Sequence, residues 1–483
     1  MNLETAVKRY FKAKGLPLQP ALTFSDIVIK DSFSTIDSRS DIRNLRTKLA
    51  GNLFLNIPLV SANMDTVTDA KMAIALARLG GLGFIHQFLP LEERVKEVQK
   101  VKRADNALIE NPVTILSTAV LGEAKACMAE YKISSLLVID EANRLLGIIT
   151  SRDYRFKDDP DLPVEKVMKR MPLVAAGPDV AREEAEAIFE KYKIEKLPLI
   201  DEQGFLKGMV SAKDMLKEKE FPNAVRDEKG RLLVGAAIRL NADYLEEMVQ
   251  LVSGGADAIL LDTARANSRR VRDAVRNIKN KFPAVPLVVG NIDTPEAALM
   301  LIKAGADCLK VGIGPGSACK TREATGVGIP QLTAIASCAA VAKNQDIPII
   351  ADGGIRGGAD LSKALVAGAN LAMVGSLFAG TDESPGEIFQ DEGRRWKMYR
   401  GSASAEHQFD RLASGSLEGL RTPEGVPRRI PYTGSVKAAV EELLGGLRSS
   451  MSYVGAKDLD EFWKLGKFVW QSRSGYEEGK PQE

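Results

Sequence analysis

Eight short apolar runs, separated by stretches with helical patterning, constrain the fold of this chain more than any other feature. Helix-like segments such as PEAALMLIKAGA and GADLSKALVAGA follow the runs. Alternating strands and helices predict an α/β fold, and eight such units predict a closed (β/α)8 TIM barrel. An open doubly wound sheet is the alternative. The runs are NIPLVSANMD at 56, LGFIH at 82, LLVGAAI at 232, DAILLDT at 257, PLVVGN at 286, CLKVGIG at 308, IPIIADGG at 347 and LAMVGS at 371.

The segment between the second and third runs predicts a second domain. It holds about 145 residues, far more than a connecting loop needs. Within it, KISSLLVIDEANRLLGIITSRD at 132 matches KIEKLPLIDEQGFLKGMVSAKD at 193 in register, which indicates an internal duplication. We therefore predict a first barrel segment at 1–111, an inserted module at 112–219 with repeats 112–160 and 161–219, and the rest of the barrel with its active-site loop, flap and C-terminal segment at 220–483.

Charge and composition argue against several classes of function. The 66 basic and 64 acidic residues leave a net charge of +2, so we expect no nucleic-acid partner. No apolar run reaches about 18 residues and the start lacks an apolar signal segment, so we expect no membrane partner and a cytoplasmic location. Four cysteines without C-x-x-C spacing and two histidines argue against a disulfide framework, a zinc site or a Ser-His-Asp triad.

The stretch GIGPGSACKTR at 312–322 is the strongest candidate for a catalytic loop. It follows an apolar strand, and its glycines let backbone N–H groups approach a ligand or a thiolate closely. An isolated cysteine in a tight turn is more often a buried core residue. Here the ends of other runs, SANMD, DTARANS, ADGG and GS, also fall where a barrel places its active-site loops.

Taken together in barrel order, these motifs resemble the IMP dehydrogenase and GMP reductase family. Supporting stretches are FPNAVRDEKGRLLVGAA at 221, GVGIPQLTAI at 326, ADGGIRGGADLSKALVAGA at 351, MVGSLFAGTDESPGE at 373 and LGGLRSSMSYVGA at 444. The duplicated insertion is similar to a tandem CBS module. The resemblance implies a purine mononucleotide substrate, GMP or IMP, whose ring carbon C2 forms a thioimidate with a cysteine while hydride is exchanged with NADPH or NAD.

The family's functional residues carry over onto matching positions of this chain. Cys319 matches the nucleophile, Thr321 and Glu424 match the pair that manages protons at C2, and Arg411 lies in the flap that carries a base. The resemblance further implies two groups of binding residues. For substrate these are Ser61, Asn63, Ser317, Asp352, Gly354, Gly375, Ser376 and Tyr399, with Asp352 on the ribose, and for the cofactor they are Asp262, Asn291, Gly312 and Gly314.

Further ligands follow from the same resemblance. Carbonyls of Gly314, Gly316 and Cys319 match a potassium site, which Glu478 and Gly479 of a neighbouring subunit could complete. In the CBS module, Asp153 and Asp214 match positions that hold the ribose of an adenine or guanine nucleotide effector; the alternative is that both cap helices. The family also implies a homotetramer, which could pair into an octamer.

The sequence departs from the family pattern beside Asp262. Relatives usually read histidine or asparagine and then glycine where this chain has Arg265 and Ala266. Arg265 either pairs with a cofactor phosphate or is a solvated surface charge.

The direction of the reaction depends on the flap and on small motif differences. Dehydrogenases hydrolyse the thioimidate with an Arg-Tyr dipeptide, whereas Leu412 follows Arg411 here and the segment is several residues short. GSAS at 401, Asn63 and SSMSYVGA at 449 also resemble the reductases. We therefore favour a GMP reductase slightly over an IMP dehydrogenase. GVGIPQLTAI is common to both branches, the CBS insertion is commoner in dehydrogenases, and Arg411 alone could still serve as the base.

A non-catalytic nucleotide sensor is the alternative from another class. It predicts damage to the nucleophile or to the proton relay. Cys319, Thr321, Asp352 and Glu424 are all present in the chain, which argues against this alternative.

Overall fold

The structure is a computed structural model of the 483-residue chain and describes residues 21–105, 108–109, 112–131, 133–401 and 424–481. The chain divides into two compact units. The second unit comprises Arg103–Pro222 and Arg226–Arg231, and the remaining described residues form the first.

The strands and helices are numbered in chain order. The strands are β1 (Ile27–Ile29), β2 (Thr47–Ala50), β3 (Leu53–Leu55), β4 (Leu59–Ser61), β5 (Leu82–Ile85), β6 (Leu108–Ile109), β7 (Thr114–Leu116), β8 (Ser135–Ile139), β9 (Leu145–Thr150), β10 (Lys169–Arg170), β11 (Lys196–Ile200), β12 (Leu206–Ser211), β13 (Gly235–Ile238), β14 (Ala258–Asp262), β15 (Leu287–Ile292), β16 (Cys308–Val311), β17 (Ile349–Asp352), β18 (Leu371–Val374), β19 (Phe389–Asp391), β20 (Arg394–Arg400), β21 (Pro427–Pro431) and β22 (Phe468–Trp470). The helices are α1 (Ala70–Leu79), α2 (Leu91–Arg103), α3 (Leu121–Tyr131), α4 (Arg182–Tyr192), α5 (Ala212–Glu220), α6 (Tyr244–Ser253), α7 (Arg269–Lys281), α8 (Pro295–Ala304), α9 (Thr321–Thr325), α10 (Gln331–Ala342), α11 (Gly358–Val366), α12 (Ser376–Ala379), α13 (Val436–Val454), α14 (Leu459–Leu465) and α15 (Arg473–Glu478).

A closed parallel barrel forms the centre of the first unit. Its strand order is β13-β14-β15-β16-β17-β18-β4-β5, and each of the eight apolar runs supplies one strand. The (β/α)8 prediction is confirmed, and the open sheet is wrong. Barrel strands are covered on both faces, inside by each other and outside by helices, which is why their sequences are continuously apolar. In β13, β16 and β18 every residue is buried.

The segment TPEAALMLIKAG shows how local sequence sets the barrel helices. The Thr294 side chain accepts a hydrogen bond from Ala297 N, and Pro295 occupies the first turn of α8, where its missing N–H costs nothing. The helix ends at Gly305, whose φ of 106° suits glycine. A helix with defined ends carries the chain back to the start of the next strand. All barrel strands therefore run in the same direction.

The second unit contains the internal duplication. One sheet has the order β10-β9-β8-β7 and the other has the order β11-β12-β6. In each repeat a helix precedes an antiparallel hairpin, α3 before β8 and β9, and α4 before β11 and β12. One apolar cluster joins Leu137 and Leu145 of the first hairpin to Leu206 and Met209 of the second. The two repeats therefore share a core.

The two matching aspartates of the repeats have different surroundings. Asp153 accepts hydrogen bonds from Thr150 N and Oγ1, at 2.8 and 2.7 Å, in a turn after β9. Asp214 lies in the first turn of α5, and Ser211 is the N-cap residue of that helix. Neither aspartate is thus the N-cap residue of a helix in the described part of the chain. Their predicted role in binding an effector stays a prediction.

A small antiparallel sheet, β19-β20-β21, belongs to the first unit. Arg400 at the end of β20 pairs with Pro427 at the start of β21, so the chain leaves and re-enters this sheet at one place. The intervening residues 402–423 lie outside the described residues. In the described part of the chain, no helix has both the length and the apolar character to span a bilayer.

Candidate active site

The predicted site residues of the barrel lie at the C-terminal ends of its strands or on the loops that follow them. Parallel strands present these ends on one face, and barrel enzymes build their active sites there. Loops after β4, β14, β15, β16, β17 and β18 contribute. Residues far apart in the chain therefore meet on this face.

Cys319 and Thr321 lie side by side on the loop after β16. The Cys319 thiol donates to Thr321 Oγ1 at 3.2 Å, and Cys319 N donates to Gly316 O at 3.0 Å. Arg322 braces the loop, since its Nε donates to Ile313 O at 2.8 Å and its Nη2 donates to Ile329 O. A braced turn fixes the direction of the thiol, which a nucleophile requires.

The other three cysteines have surroundings that disfavour a thiolate. Cys308 and Cys338 are fully buried, and burial raises the pKa of both thiols, to about 12 for Cys338. Burial also raises the pKa of Cys127, which packs against the core of the second unit. Cys319 is half-buried on a polar loop. It is therefore the cysteine best suited to nucleophilic chemistry.

Glu424 lies next to the cysteine loop because its own backbone and that of Val426 pair with the loop. Lys320 N donates to Glu424 O at 2.7 Å, and Val426 N donates to Ala318 O at 3.0 Å. The structure thus brings Glu424, Cys319 and Thr321 to one place, as the resemblance implies for a proton relay. Arg411 lies outside the described residues.

A buried lysine joins two carboxylates at the centre of the site. Lys310 is 3% exposed, and its Nζ lies 2.9 Å from Asp262 Oδ1 and 2.7 Å from Asp352 Oδ2. Burial alone would lower the pKa of Lys310, but the two carboxylates raise it above its usual value. The ammonium is therefore charged across the physiological range.

Asp262 also receives two amide hydrogen bonds. Gln87 Nε2 and Asn63 Nδ2 donate to its Oδ2, at 3.0 and 3.1 Å, and Asn63 Nδ2 also lies 3.0 Å from Gln87 Oε1. Burial would raise the pKa of Asp262, but Lys310, Gln87 and Asn63 together hold it below the usual range. Asp262 is thus a fixed carboxylate that accepts hydrogen bonds and does not donate a proton near neutral pH.

Asn291 and Gly312 complete this side of the site. Asn291 Nδ2 donates to Asp352 Oδ2 at 2.8 Å and to Gly312 O at 2.6 Å, while its Oδ1 accepts from Lys310. Gly312 has a φ of 152°, and a Cβ there would lie 2.1 Å from Asp352 O. Only glycine allows β16 and β17 to approach so closely. Three predicted residues, Asp352, Asn291 and Gly312, are therefore in direct contact.

The predicted phosphate-binding residues also converge. The Tyr399 hydroxyl is hydrogen-bonded to Ser317, and a Cβ on Gly375 would lie 2.8 Å from Tyr399 Oη. Burial raises the pKa of Tyr399 to about 12, so the phenol stays protonated and can donate to a phosphate oxygen. Gly354 has a φ of 83° and lies against Pro315 on the cysteine loop. Ser376 follows Gly375 as the first residue of α12.

Several predicted residues have other surroundings. Ser61 is fully buried, and its Oγ accepts a hydrogen bond from Thr68 Oγ1 at 2.7 Å. This bond ties the end of β4 to the loop that follows it. Arg265 is exposed. Gly314 adjoins the Arg322 side chain, and Gly316 O already accepts from Cys319 N, which leaves that carbonyl one lone pair for a cation. Glu478 is the last residue of α15.

Five contributors to the site have no role in the sequence prediction: Thr68, Gln87, Lys310, Arg322 and Gln331. Lys310 could have been identified from the sequence, because it is the one charged residue in the buried strand CLKV. Gln331 Nε2 donates to Val311 O at 2.9 Å and to Asp352 O at 3.2 Å, while its buried Oε1 has no partner among the described residues. No local feature of the sequence identifies Gln87, since its hydrogen-bond partners lie 24 and 175 positions away in the chain.

The donor set fits a nicotinamide better than a side-chain metal site. Asp262, Asn63 and Gln87 combine carboxylate and amide groups, and these match the donor and acceptor of a carboxamide. Within the described residues, no group of three or more His, Cys, Asp or Glu side chains could hold a metal ion.

Fold and site together define a class of protein, a (β/α)8 barrel enzyme with a thiol, a carboxylate–lysine network and a tyrosine on its C-terminal face. The model of the IMP dehydrogenase / GMP reductase domain matches residues 21–482. The chain belongs to this family and is an oxidoreductase, and the family uses NAD(P)(H) as cosubstrate. The non-catalytic alternative finds no support here.

Relatives of both branches resemble the chain over nearly its whole length. Inosine-5'-monophosphate dehydrogenase from Aquifex aeolicus is 46% identical over 468 residues, 95% of each chain. The enzyme of the same name from Methanocaldococcus jannaschii is 44% identical over 98% of this chain and 97% of its own. Among solved structures, a cysteine-to-alanine variant of Trypanosoma brucei GMP reductase with guanosine 5'-monophosphate has a TM-score of 0.91 at 36% identity, covering 97% of this chain and 99% of its own.

Proposed function

We propose that the chain is a GMP reductase that converts GMP to IMP and ammonia through a covalent bond to Cys319. The thiolate adds to C2 of the purine, and the C2 amino group takes up a proton and leaves as ammonia, which forms the thioimidate. NADPH supplies the hydride. As the C2–H bond forms, the C2–S bond breaks and its electron pair returns to the sulfur, which leaves IMP and a free thiolate.

The observation that carries this proposal is the Cys319–Thr321 contact beside Glu424. A thiol and a hydroxyl 3.2 Å apart place a proton-transfer group next to the atom that bonds the purine. The backbone hydrogen bond from Lys320 N to Glu424 O places Glu424 next to the cysteine loop. Glu424 and Thr321 would then deliver the proton that the departing amine requires.

The binding roles follow from the contacts of the remaining residues. Asp352 Oδ2 is held by Lys310 and Asn291, which leaves Oδ1 to accept from the ribose hydroxyls. Tyr399, Ser317 and the backbone at Gly375 would hold the phosphate. Asp262 would accept a hydrogen bond from the nicotinamide carboxamide through its remaining lone pairs.

Sequence features favour the reductase over the dehydrogenase. Leu412 stands where dehydrogenases have the tyrosine of their water-activating dipeptide, and a reductase needs no such water. The Asn63 amide, typical of reductases, lies against Asp262. A GMP reductase is also among the similar solved structures.

IMP dehydrogenase is the second candidate, and the similar proteins support it better than they support the reductase. The curated relatives at 43–46% identity carry that name, whereas the GMP reductase structures are 34–36% identical. In this direction Cys319 would add to IMP, hydride would leave for NAD, and water would hydrolyse the thioimidate to XMP. Arg411 would then have to activate the water without a tyrosine beside it.

Other ligands and the assembly are part of the same proposal. A potassium ion at the carbonyls of Gly314, Gly316 and Cys319, a nucleotide effector at Asp153 and Asp214, and a homotetramer rest on the family resemblance. A cytoplasmic location stays an expectation from the sequence. The Trypanosoma brucei GMP reductase has also been solved with guanosine 5'-triphosphate. Dialysis against sodium in place of potassium, followed by activity measurement, would test the ion.

Two parallel assays test the direction of the reaction. The protein is mixed with GMP and NADPH, and separately with IMP and NAD, while absorbance of the reduced nicotinamide and free ammonia are followed. We expect NADPH consumption with one ammonia released per hydride transferred. Production of NADH from IMP, with no reaction of GMP, would establish the second candidate and contradict the first.

Two cysteine variants make the assay specific. Cys319→Ala should abolish the signal, whereas Cys127→Ser, in the second unit, should retain it. Activity that survives in Cys319→Ala would contradict both candidates, because each routes its chemistry through that sulfur.

A further inference from the structure

Lys397 is a fully enclosed lysine in the β19-β20-β21 sheet, and no predicted role includes it. It is 2% exposed. Its Nζ donates to Thr381 O at 2.9 Å, to Ser384 O at 2.8 Å and to Ser384 Oγ at 2.9 Å. All three ammonium donors therefore have oxygen partners, and these oxygens are neutral.

The loop at 381–384 is itself fixed to α12. Thr381 Oγ1 donates to Phe378 O at 2.7 Å, and Ser384 Oγ donates to Ala379 O at 2.7 Å. Helix α12 begins at Ser376, directly after Gly375. Lys397 thus ties β20 to the element that carries two of the predicted phosphate-binding residues.

Tyr399 lies two residues further along β20, on the same side as Lys397. Side chains alternate along a strand, so residues i and i+2 share a face. Both Lys397 and Tyr399 are buried, whereas Met398 between them is exposed. The tyrosine hydroxyl lies beside Gly375 and Ser317. The position of the hydroxyl therefore depends on where β20 sits against the loop at 381–384.

We propose that Lys397 is a positioning residue for the phosphate end of the nucleotide site. Its three hydrogen bonds hold β20 against the loop at 381–384, and this contact keeps the Tyr399 hydroxyl over Gly375, where a phosphate oxygen binds. The inference rests on the proposed function, since it assumes that a purine mononucleotide places its phosphate there.

The chemistry of this contact supports a role for Lys397 in positioning β20 against the loop at 381–384. Burying an ammonium against neutral oxygens costs more desolvation free energy than burying an apolar side chain of the same size. An apolar residue would fill the space but would not fix the orientation of the strand, because dispersion contacts have no preferred direction. Three hydrogen bonds from one nitrogen fix both the distance and the orientation of the loop relative to the strand.

The experiment compares Lys397→Ala with the wild type in nucleotide binding and turnover. Alanine removes the three methylenes and the ammonium, which together correspond to propylammonium. We expect KM for GMP to rise about 10-fold, equivalent to one lost hydrogen bond to a charged group, while kcat changes less than about 3-fold. Added propylammonium should restore KM, whereas tetramethylammonium, which cannot donate, should not.

A double-mutant cycle separates positioning from simple destabilisation. Tyr399→Phe should raise KM by a similar factor, and Lys397→Ala combined with Tyr399→Phe should be no worse than Tyr399→Phe alone, because the lysine acts through the hydroxyl. Additive effects on KM, or a lower Tm with unchanged KM, would overturn the proposal. Lys437→Ala, at an exposed position on α13, controls for loss of a lysine.

If Lys397→Ala does not fold, Lys397→Gln provides a second test of the proposal. Lys397→Gln keeps part of the reach and one donor group, and it should show an intermediate KM that propylammonium does not improve. Equal KM values for Lys397→Gln and the wild type would contradict the proposal. Failure of the proposed function is distinguishable, because the wild type itself would then neither bind nor turn over GMP.

Discussion

The ammonium nitrogen of Lys310 lies 2.7 Å from the carboxylate of Asp352. The same nitrogen lies 2.9 Å from Asp262, so one cation joins the carboxylate on the predicted ribose side to the carboxylate on the predicted nicotinamide side. The three residues come from β16, β17 and β14. A purine nucleotide and a nicotinamide that bind at this face would therefore meet a common, preorganised network.

Removal of the Lys310 ammonium should destabilise the barrel strongly. Lys310→Met leaves the partly buried carboxylates of Asp262 and Asp352 without their buried cation, and breaking a buried ion pair costs about 3–5 kcal/mol of unfolding free energy. The matched control is Lys437→Met, whose ion pair with Glu441 is exposed and contributes about 0–1 kcal/mol. Chemical denaturation of both variants measures the difference, and equal losses would contradict the role of the network.

The network should also set a pH dependence. The raised pKa of Lys310 contributes stability that is present below the lysine's unfolded pKa of about 10.4 and is lost as pH rises through the folded pKa. The lowered pKa of Asp262 contributes stability that is present above about 3.9 and is lost as pH falls through its folded pKa. The network should therefore add no pH dependence to wild-type stability between about pH 5 and pH 9.

Lys310→Met should behave differently over the same range. Asp262 loses its cation in this variant, so the pKa of its carboxyl rises, and the variant gains stability as pH falls through that folded pKa towards the unfolded value of about 3.9. Adding Asp262→Asn removes one of the two charges and should flatten that gain. Denaturation midpoints at several pH values test this, and a Lys310→Met profile parallel to the wild type would count against it.

Gly312 and Gly445 offer a matched pair of glycine substitutions. Gly312→Ala places a Cβ 2.1 Å from Asp352 O at a φ of 152°, so β16 and β17 must separate and the Asn291–Asp352 contact must shift. Among the described residues, no atom outside the neighbouring backbone of α13 lies within 4 Å of the Cβ position of Gly445. Gly445→Ala should therefore stabilise the protein by about 0.5–1 kcal/mol. Nucleotide affinity and unfolding free energy should both fall only for Gly312→Ala.

Cysteine alkylation should rank the thiols by their surroundings. Burial raises the pKa of Cys308 and Cys338, so neither presents a thiolate to an alkylating reagent in the folded state. Cys319 should react first, and saturating GMP should protect it. Peptide mapping after brief iodoacetamide treatment gives the order, and modification of Cys338 before Cys319 would be inconsistent with this structure.

The sequence was sufficient to predict the barrel because each of its strands is a short, continuously apolar run between helices with clear ends. Thr294, Pro295 and Gly305 mark one helix so clearly that its bounds follow from local chemistry. Strand order also follows, since consecutive βα units in a barrel are neighbours. The prediction that the sheet closes into a barrel depended on the count of eight strand–helix units.

The contacts within the site were less accessible to sequence reasoning. Asp262, Asn291 and Asp352 are candidates because the family resemblance implies them, yet their link through Lys310 depends on the register between β14, β15, β16 and β17. A charged residue inside an apolar strand was the available signal. Gln87 gave no such signal, because an amide after a strand is as often solvated as it is bound to a carboxylate.

The central claim is that the Cys319 sulfur bonds to a purine nucleotide. A purine mononucleotide with a halogen leaving group on its ring is incubated with the wild type and with Cys319→Ala, and both are analysed by intact mass and peptide mapping. The account predicts one covalent nucleotide per chain, on the peptide that contains Cys319, and none on the variant. Labelling of another residue, or unmodified wild-type protein, would contradict it.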